Sequence, residues 1–317
     1  MTYQPAALSD DQTILPKLPR WVTSGPTETS ETVAFRSGAA LTVLDQLVRD
    51  PMHGVPVKLL ANRLALSAAT ATSKLEGRLA REVDIRDAYH LTPPGEARGP
   101  DGDLLAFWRD VARLRVCGTG EVAALIGPDF TSLVGIWLDA GLERARTHGP
   151  LAGSVAVLRT VLDADDQAER VACLLSDIVL ARAMNWKTVL PVSAHRLTKA
   201  ALRDLTADGQ GTELAVQVRF QESIEETIRL ARDLARRGEA LRAVAPKLRA
   251  KGSGAAVDLF LTEDAVAPGS MLSPHIRGTS IPMTSRAARR FCDRLVELGV
   301  ARELTGRSTF RLYGIAP

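Results

Sequence analysis

Apolar residues recur at helical spacing along most of the chain. From Val33 onward, leucines, valines and alanines return every three or four residues, while Asp, Glu and Arg fill the positions between them. This pattern is typical of amphipathic helices. Two stretches, at residues 55–76 and 165–186, are apolar on almost every side, so each predicts a central helix that its neighbours cover. We therefore expect a mainly α fold whose body is a multi-helix bundle.

Breaks in this pattern predict the domain organisation. Residues 1–32 contain four prolines and many polar residues, which predicts an irregular leader. The helical body extends over residues 33–250, with a flexible connection at the glycine-rich residues 207–211. The small residues at positions 251–254 predict a boundary, and residues 255–317 form a second domain.

The second domain has the order of a winged helix-turn-helix. Thr284 or Ser285 is a suitable N-cap for a helix that Gly299 ends, and that helix has one apolar stripe. Two β-type runs at residues 300–304 and 309–313 follow, and Gly306 predicts a tight turn of a small β-hairpin between them. A supporting helix is expected at residues 255–266. The members of the apolar stripe are Ala288, Phe291, Leu295 and Leu298.

Charge is distributed unevenly between these two parts. The formal net charge is only +3, but residues 277–317 hold eight arginines and no lysine against three acidic residues. That segment therefore carries +5 and the rest of the chain carries −2. A local cationic excess of this kind indicates an anionic partner such as nucleic acid.

We predict that the tail binds DNA. Arginines at the start of the helix would meet phosphates together with the helix dipole, and Arg307 would lie at the tip of the wing. The predicted DNA-binding residues are Ser285, Arg286, Arg289, Arg290, Arg302, Arg307 and Arg311.

The tail sequence resembles a known family. Residues 284–291, 295–299, 302–307 and 310–314 are similar to the C-terminal signature of DUF1403, a bacterial and often plasmid-borne family of unknown function, and the likeness spans most of the chain. The tail is also similar to the winged helix that ends many Fic-type proteins. The Fic catalytic motif, His-Pro-Phe-x-x-Gly-Asn-Gly-Arg, does not occur in this sequence, so the resemblance implies a fold rather than a nucleotide-transfer activity.

An enzyme in the helical body is the main alternative. Asp87 and His90 are three residues apart on one predicted helix face and could hold part of a metal site, although the ligand set is incomplete. Asp177 lies among apolar residues and needs a partner, for which Arg63, Arg170 and Arg182 are possible. The catalytic alternative rests on Glu76, Glu82, Asp87, His90 and Asp177.

The remaining features exclude several classes. Cys117, Cys173 and Cys292 are far apart, so neither a disulfide framework nor a zinc cluster is indicated, and we expect no metal and no cofactor. No apolar run is long enough to span a bilayer, and the first residues do not resemble a signal peptide. We expect a cytoplasmic, non-enzymatic DNA-binding protein of regulatory or plasmid-maintenance type. Its body would form a homodimer or bind a protein partner, and a pure protein-interaction module is the third alternative.

Overall fold

The computed structural model describes residues 15–25, 29–115, 119–207, 212–248 and 251–315. The described chain is mainly helical, as predicted, with one small antiparallel sheet near the C-terminus. Cys117 and positions 208–211 of the predicted flexible connection lie outside these residues. The helices are α1 (Arg20–Thr23), α2 (Ser30–Arg49), α3 (Val57–Leu75), α4 (Glu82–Leu91), α5 (Gly99–Val111), α6 (Thr119–Ile126), α7 (Val134–His148), α8 (Pro150–Ala164), α9 (Glu169–Ala183), α10 (Lys199–Thr206), α11 (Thr212–Val244), α12 (Ser253–Phe260) and α13 (Ser285–Glu297).

The body is organised around the two helices that are apolar on most sides. Helix α3 packs against α4, α5, α9 and α11, and α9 packs against α7 and α8. Helices α7 and α8 approach closely because Gly141 and Gly153 face each other. A Cβ on Gly153 would clash with the carbonyl oxygen of Gly141, and a Cβ on Gly141 would lie 2.9 Å from Val179 Cγ2. These two glycines therefore set the spacing of the helix pair.

Two predictions for the N-terminal segment differ from the structure. Helix α2 begins at Ser30, three residues before the predicted start of the body, because the Thr29 hydroxyl accepts a hydrogen bond from the backbone N–H of Thr32. Within the segment predicted to be irregular, residues 20–23 form the short helix α1, which buries Val22. Helix α11 continues past Gly238 to Val244, because Leu241 extends its buried stripe by another turn.

The C-terminal part combines α12, α13 and a small sheet. Strand β1 (Ala301–Glu303) pairs antiparallel with β2 (Tyr313–Ile315), and Val266 forms a bridge with Tyr313 on the other side of β2. Between Val266 and α13 the chain makes a π-helical turn at Pro268–Leu272. Strand β2 therefore lies between Val266 and β1.

The predicted tight hairpin turn is wrong. The second strand lies four residues later than predicted, and a long loop joins it to β1. The Glu303 carboxylate accepts hydrogen bonds from the backbone N–H groups of Thr305 and Gly306, each at 2.7 Å, and bends the chain directly after β1. The second strand is buried on both faces, since Leu312, Tyr313 and Ile315 are each at most 3% exposed.

The segment at the predicted domain boundary is packed. Gly252 has a left-handed φ of +84°, and a Cβ there would lie 2.7 Å from Ile281 and 2.9 Å from Ile276. The two parts also share hydrogen bonds. Asn62 Nδ2 donates to the Thr262 carbonyl at 2.7 Å, and Arg63 donates to the Ile315 carbonyl at 3.1 Å. Within the described ranges, none of the helices combines the length and apolar composition needed to cross a bilayer.

Candidate functional site

Helix α13 has the start and the buried stripe that its sequence predicts. Thr284 is the N-cap, and its hydroxyl accepts a hydrogen bond from the backbone N–H of Ala287 at 3.3 Å. The Ser285 hydroxyl instead hydrogen-bonds with that of Ser273 at 3.1 Å. Leu298 is only half-buried. The buried residues of the helix are Ala288, Phe291, Cys292 and Leu295.

The opposite side of α13 is cationic. Arg286 and Arg290 are both exposed, and they are four residues apart, which places them on one face. Within the described residues, neither forms an ion pair with a carboxylate. Arg294, one turn after Arg290, is paired with Glu297 at 2.8 Å. The charges of Arg286 and Arg290 are therefore open to an external anion.

The other predicted arginines point in different directions. Arg302 is exposed on β1, and Arg289 is exposed on the side of α13 that faces α4. Arg307 does not extend freely from a wing tip, because its guanidinium lies 3.4 Å from Asp87 of α4 while its side chain remains 59% exposed. Arg311 donates to the carbonyl of Arg307 at 3.0 Å. The loop that carries both residues is thus folded against the body.

A buried ionic network fastens the C-terminal part to the body. The Arg109 guanidinium of α5 pairs with both Glu263 and Asp264, which follow α12. His90 of α4 lies 3.2 Å from Asp264, and their side chains are each 1% exposed. Burial favours the neutral form of Asp264, but the charges of His90 and Arg109 outweigh burial and hold its pKa well below the usual range. The network is charged, enclosed and shared by both parts of the chain.

The five residues of the catalytic alternative lie in separate environments. Glu76 accepts a hydrogen bond from Arg170 at 2.7 Å, and Glu82 is exposed at the start of α4. Asp87 pairs with Arg86 at 2.7 Å and contacts Arg307, while His90 belongs to the buried network. Among the described residues, no group of three or more His, Cys, Asp or Glu is placed to hold a metal ion. The geometry does not bring these side chains together around one reacting centre.

Asp177 is buried, but its predicted arginine partner is wrong. Its Oδ1 accepts hydrogen bonds from the backbone N–H groups of Val192 and Ser193, at 3.0 and 2.8 Å. Burial raises the pKa of Asp177 to about 7, and the two backbone hydrogen bonds oppose this rise without cancelling it. Arg170, one of the predicted partners, pairs with Glu76. Asp177 therefore anchors the segment after α9 to that helix.

Three residues of the buried network were missed by sequence reasoning. Arg109 directly follows the buried Trp108 of α5, and Glu263 and Asp264 lie between the apolar end of α12 and the buried residues Ala265 and Val266. A charged residue inside an apolar run is the same signal that singled out Asp177. The sequence therefore contained the signal that these charged residues are buried. It did not show that Arg109 pairs with Glu263 and Asp264, which are more than 150 residues away.

Comparison with known proteins places the chain in a family. A model of the family described as "Protein of unknown function (DUF1403)" matches residues 6–315, nearly the whole chain. No curated protein matches. The chain therefore belongs to the DUF1403 family, in agreement with the resemblance of the tail sequence.

Proposed function

We propose that this DUF1403 protein is a non-enzymatic DNA-binding protein of regulatory or plasmid-maintenance type, and that α13 is its DNA-contacting helix. The observation that carries the proposal is the pair Arg286 and Arg290, exposed on one face and without a carboxylate partner among the described residues. Arginines that already have ion pairs lose part of their attraction for phosphate, whereas these two keep it.

The order of elements supports a winged-helix assignment. In that fold, a first helix, a short strand, a second helix and a recognition helix precede a hairpin, and in this chain the five-residue turn at Pro268–Leu272 stands in the place of the second helix. Here α12, Val266, the turn at Pro268–Leu272, α13, β1 and β2 follow in this order, and Val266 pairs with β2. In this assignment α13 is the recognition helix.

The electrostatics of the helix start support phosphate contact. The first backbone N–H groups of a helix have no partner within it, and the dipole adds a partial positive charge there. Arg286 lies in the first turn of α13 and Arg290 one turn later, so both guanidinium groups extend the same positive surface. Arg302 on β1 and the side chains of Ser285 and Arg289 complete the proposed DNA-binding surface.

The loop between β1 and β2 contributes less to DNA binding in this proposal than α13 does. Arg307 is held by Asp87, and Arg311 by the carbonyl of Arg307. For Arg307 to reach a phosphate, its contact with Asp87 would have to be exchanged for the new one. We therefore assign the loop arginines a smaller contribution than Arg286 and Arg290.

Fluorescence anisotropy with labelled random-sequence duplexes tests the proposal. If Arg286 and Arg290 each neutralise one phosphate, the double variant R286A/R290A should bind roughly 60-fold more weakly than the parent at about 0.1 M salt. The matched control K58A/R203A removes the same charge from two exposed residues of the body that have no ion pair in the described chain.

Two outcomes would contradict the proposal. One is a parent protein that does not bind the duplexes at low salt, and the other is an equal loss in both double variants. Sequencing of duplexes that the parent retains from a random pool then separates specific recognition, which enriches a motif, from recognition of the backbone alone.

A further inference from the structure

A cleft of about 850 Å³ lies between the body and the C-terminal part. One wall is the C-terminal end of α4 with the loop that follows it, and the opposite wall is α13 with the loop before β2. The turn at Pro268–Leu272 closes one end. This volume falls in the range of small-molecule sites, and it is too small for a segment of double helix.

The cleft is strongly cationic. Four guanidinium groups, those of Arg98, Arg277, Arg289 and Arg311, line it against the carboxylates of Glu96 and Asp293. The Asp293 carboxylate is already engaged by the Tyr313 hydroxyl at 3.1 Å.

Three of these arginines have no carboxylate partner in the described part of the chain. Among the described residues, Arg98, Arg277 and Arg289 form no ion pair with a carboxylate. Like charges that gather in one concave site repel each other, and an anion with several negative oxygens relieves that repulsion. The cleft therefore favours a ligand with at least two negative charges.

An aromatic side chain lies beside the arginines. Phe310 lines the cleft, is 74% exposed and has a φ of +55°. A positive φ is unfavourable for a bulky residue, and such strained positions cluster at ligand sites. A phenyl ring held in water at the mouth of a cleft offers a flat apolar surface on which a planar ring can stack.

The base of the cleft is preformed. Its buried lining includes His90, which the buried ionic network holds in place, and Tyr313 of β2, which is only 3% exposed. On the α4 side, the Arg98 guanidinium lies 5.1 Å from the centre of the Tyr89 ring, and this cation–π contact orients it. A ligand would thus enter a site whose charged groups are largely in position.

We propose that this cleft binds a mononucleotide-like ligand. Such a small molecule carries one or more phosphate groups with at least two negative charges in total, and these are attached to a planar ring system. The phosphates contact Arg98, Arg277 and Arg289, and the ring stacks on Phe310. Arg289 belongs to both proposed surfaces. The proposal does not rest on DNA binding, because Arg98 and Arg277 lie outside the proposed DNA-binding surface.

Isothermal titration calorimetry of the full chain with ADP tests this site. We expect ADP to bind, R98A/R277A to weaken its affinity at least tenfold, and F310A to weaken it about threefold or more. Adenosine, which lacks the phosphates, and pyrophosphate, which lacks the ring, should each bind at least tenfold more weakly than ADP. K58A/R203A should bind ADP like the parent.

Several results would overturn the proposal. An absence of ADP binding at low salt, or equal affinities in the parent and R98A/R277A, would reject the cleft as the site. Adenosine that binds as tightly as ADP would reject the phosphate contacts, and pyrophosphate that does so would reject stacking on Phe310. Arg98, Arg277 and Phe310 are exposed, so unchanged melting temperatures are expected and serve as the folding control.

Discussion

Removal of Arg109 should strongly destabilise the protein. Its side chain is 1% exposed and holds two carboxylates, Glu263 and Asp264, across the interface between the body and the C-terminal part. In R109A, Asp264 keeps His90 as its ion-pair partner and the electrostatic attraction of Arg63, and Glu263 loses the one ion pair found for it in the described chain. Two buried negative charges would then be largely uncompensated.

The loss of stability expected for R109A can be estimated from the two buried carboxylates that lose their arginine partner. Breaking a buried ion pair by deleting one member costs about 3–5 kcal/mol, a large fraction of the total stability of an ordinary domain. The matched control is R113A, because Arg113 follows the same helix but is 58% exposed and pairs with an equally exposed Asp110. Exposed pairs contribute about 0–1 kcal/mol.

Urea unfolding followed by far-UV circular dichroism measures both variants. We expect R109A to lose about 2–5 kcal/mol more than R113A, with the slope against urea nearly unchanged. The triple variant R109M/E263Q/D264N should recover most of the loss, because no buried carboxylate is then left without its arginine. Equal free energies of unfolding for R109A and R113A would show that the buried ionic network does not stabilise the interface between the body and the C-terminal part.

Two further predictions concern the interior of the body. In D177N, the stability advantage over the parent should grow by about 4 kcal/mol as pH rises from about 4 to 7 and stay constant above that, because the folded parent keeps a proton on Asp177 that its unfolded chain releases. Chemical denaturation at several pH values checks this, and parallel curves for the two proteins would contradict it. G153A should lose about 1–3 kcal/mol because its Cβ would clash with the backbone of Gly141, whereas G135A, where nothing lies within 4 Å of the added Cβ, should be neutral or stabilising. Equal melting temperatures for the two alanine variants would show that α7 and α8 can separate at little cost.

Local signals made α13 predictable from the sequence. Its N-cap, the spacing of its buried stripe and its glycine stop all lie within the helix or beside it, so no distant contact was needed to find them. Strand β2 was misplaced because its position depends on Val266, which lies 47 residues before Tyr313 and pairs with it. Short strands take their register from such partners rather than from their own propensity.

The side-chain partners were harder to predict than the helices. Burial of Asp177 followed from its apolar neighbours, but its partners are backbone N–H groups at residues 192 and 193, which no pattern of charges reveals. The contact of Arg307 with Asp87 likewise joins segments that are far apart in the chain. The cleft was also not predictable from the sequence, because it forms between the end of α4 and α13, which are far apart in the chain.

The most direct test of the proposed function is the salt dependence of DNA affinity. The slope of log affinity against log salt concentration should be less steep by about 1.8 in R286A/R290A than in the parent, since each phosphate contact contributes about 0.9. K58A/R203A should keep the parent slope. If the parent and R286A/R290A give the same slope and the same affinity, α13 does not contact DNA phosphates, and the tail is better explained as a protein-interaction surface.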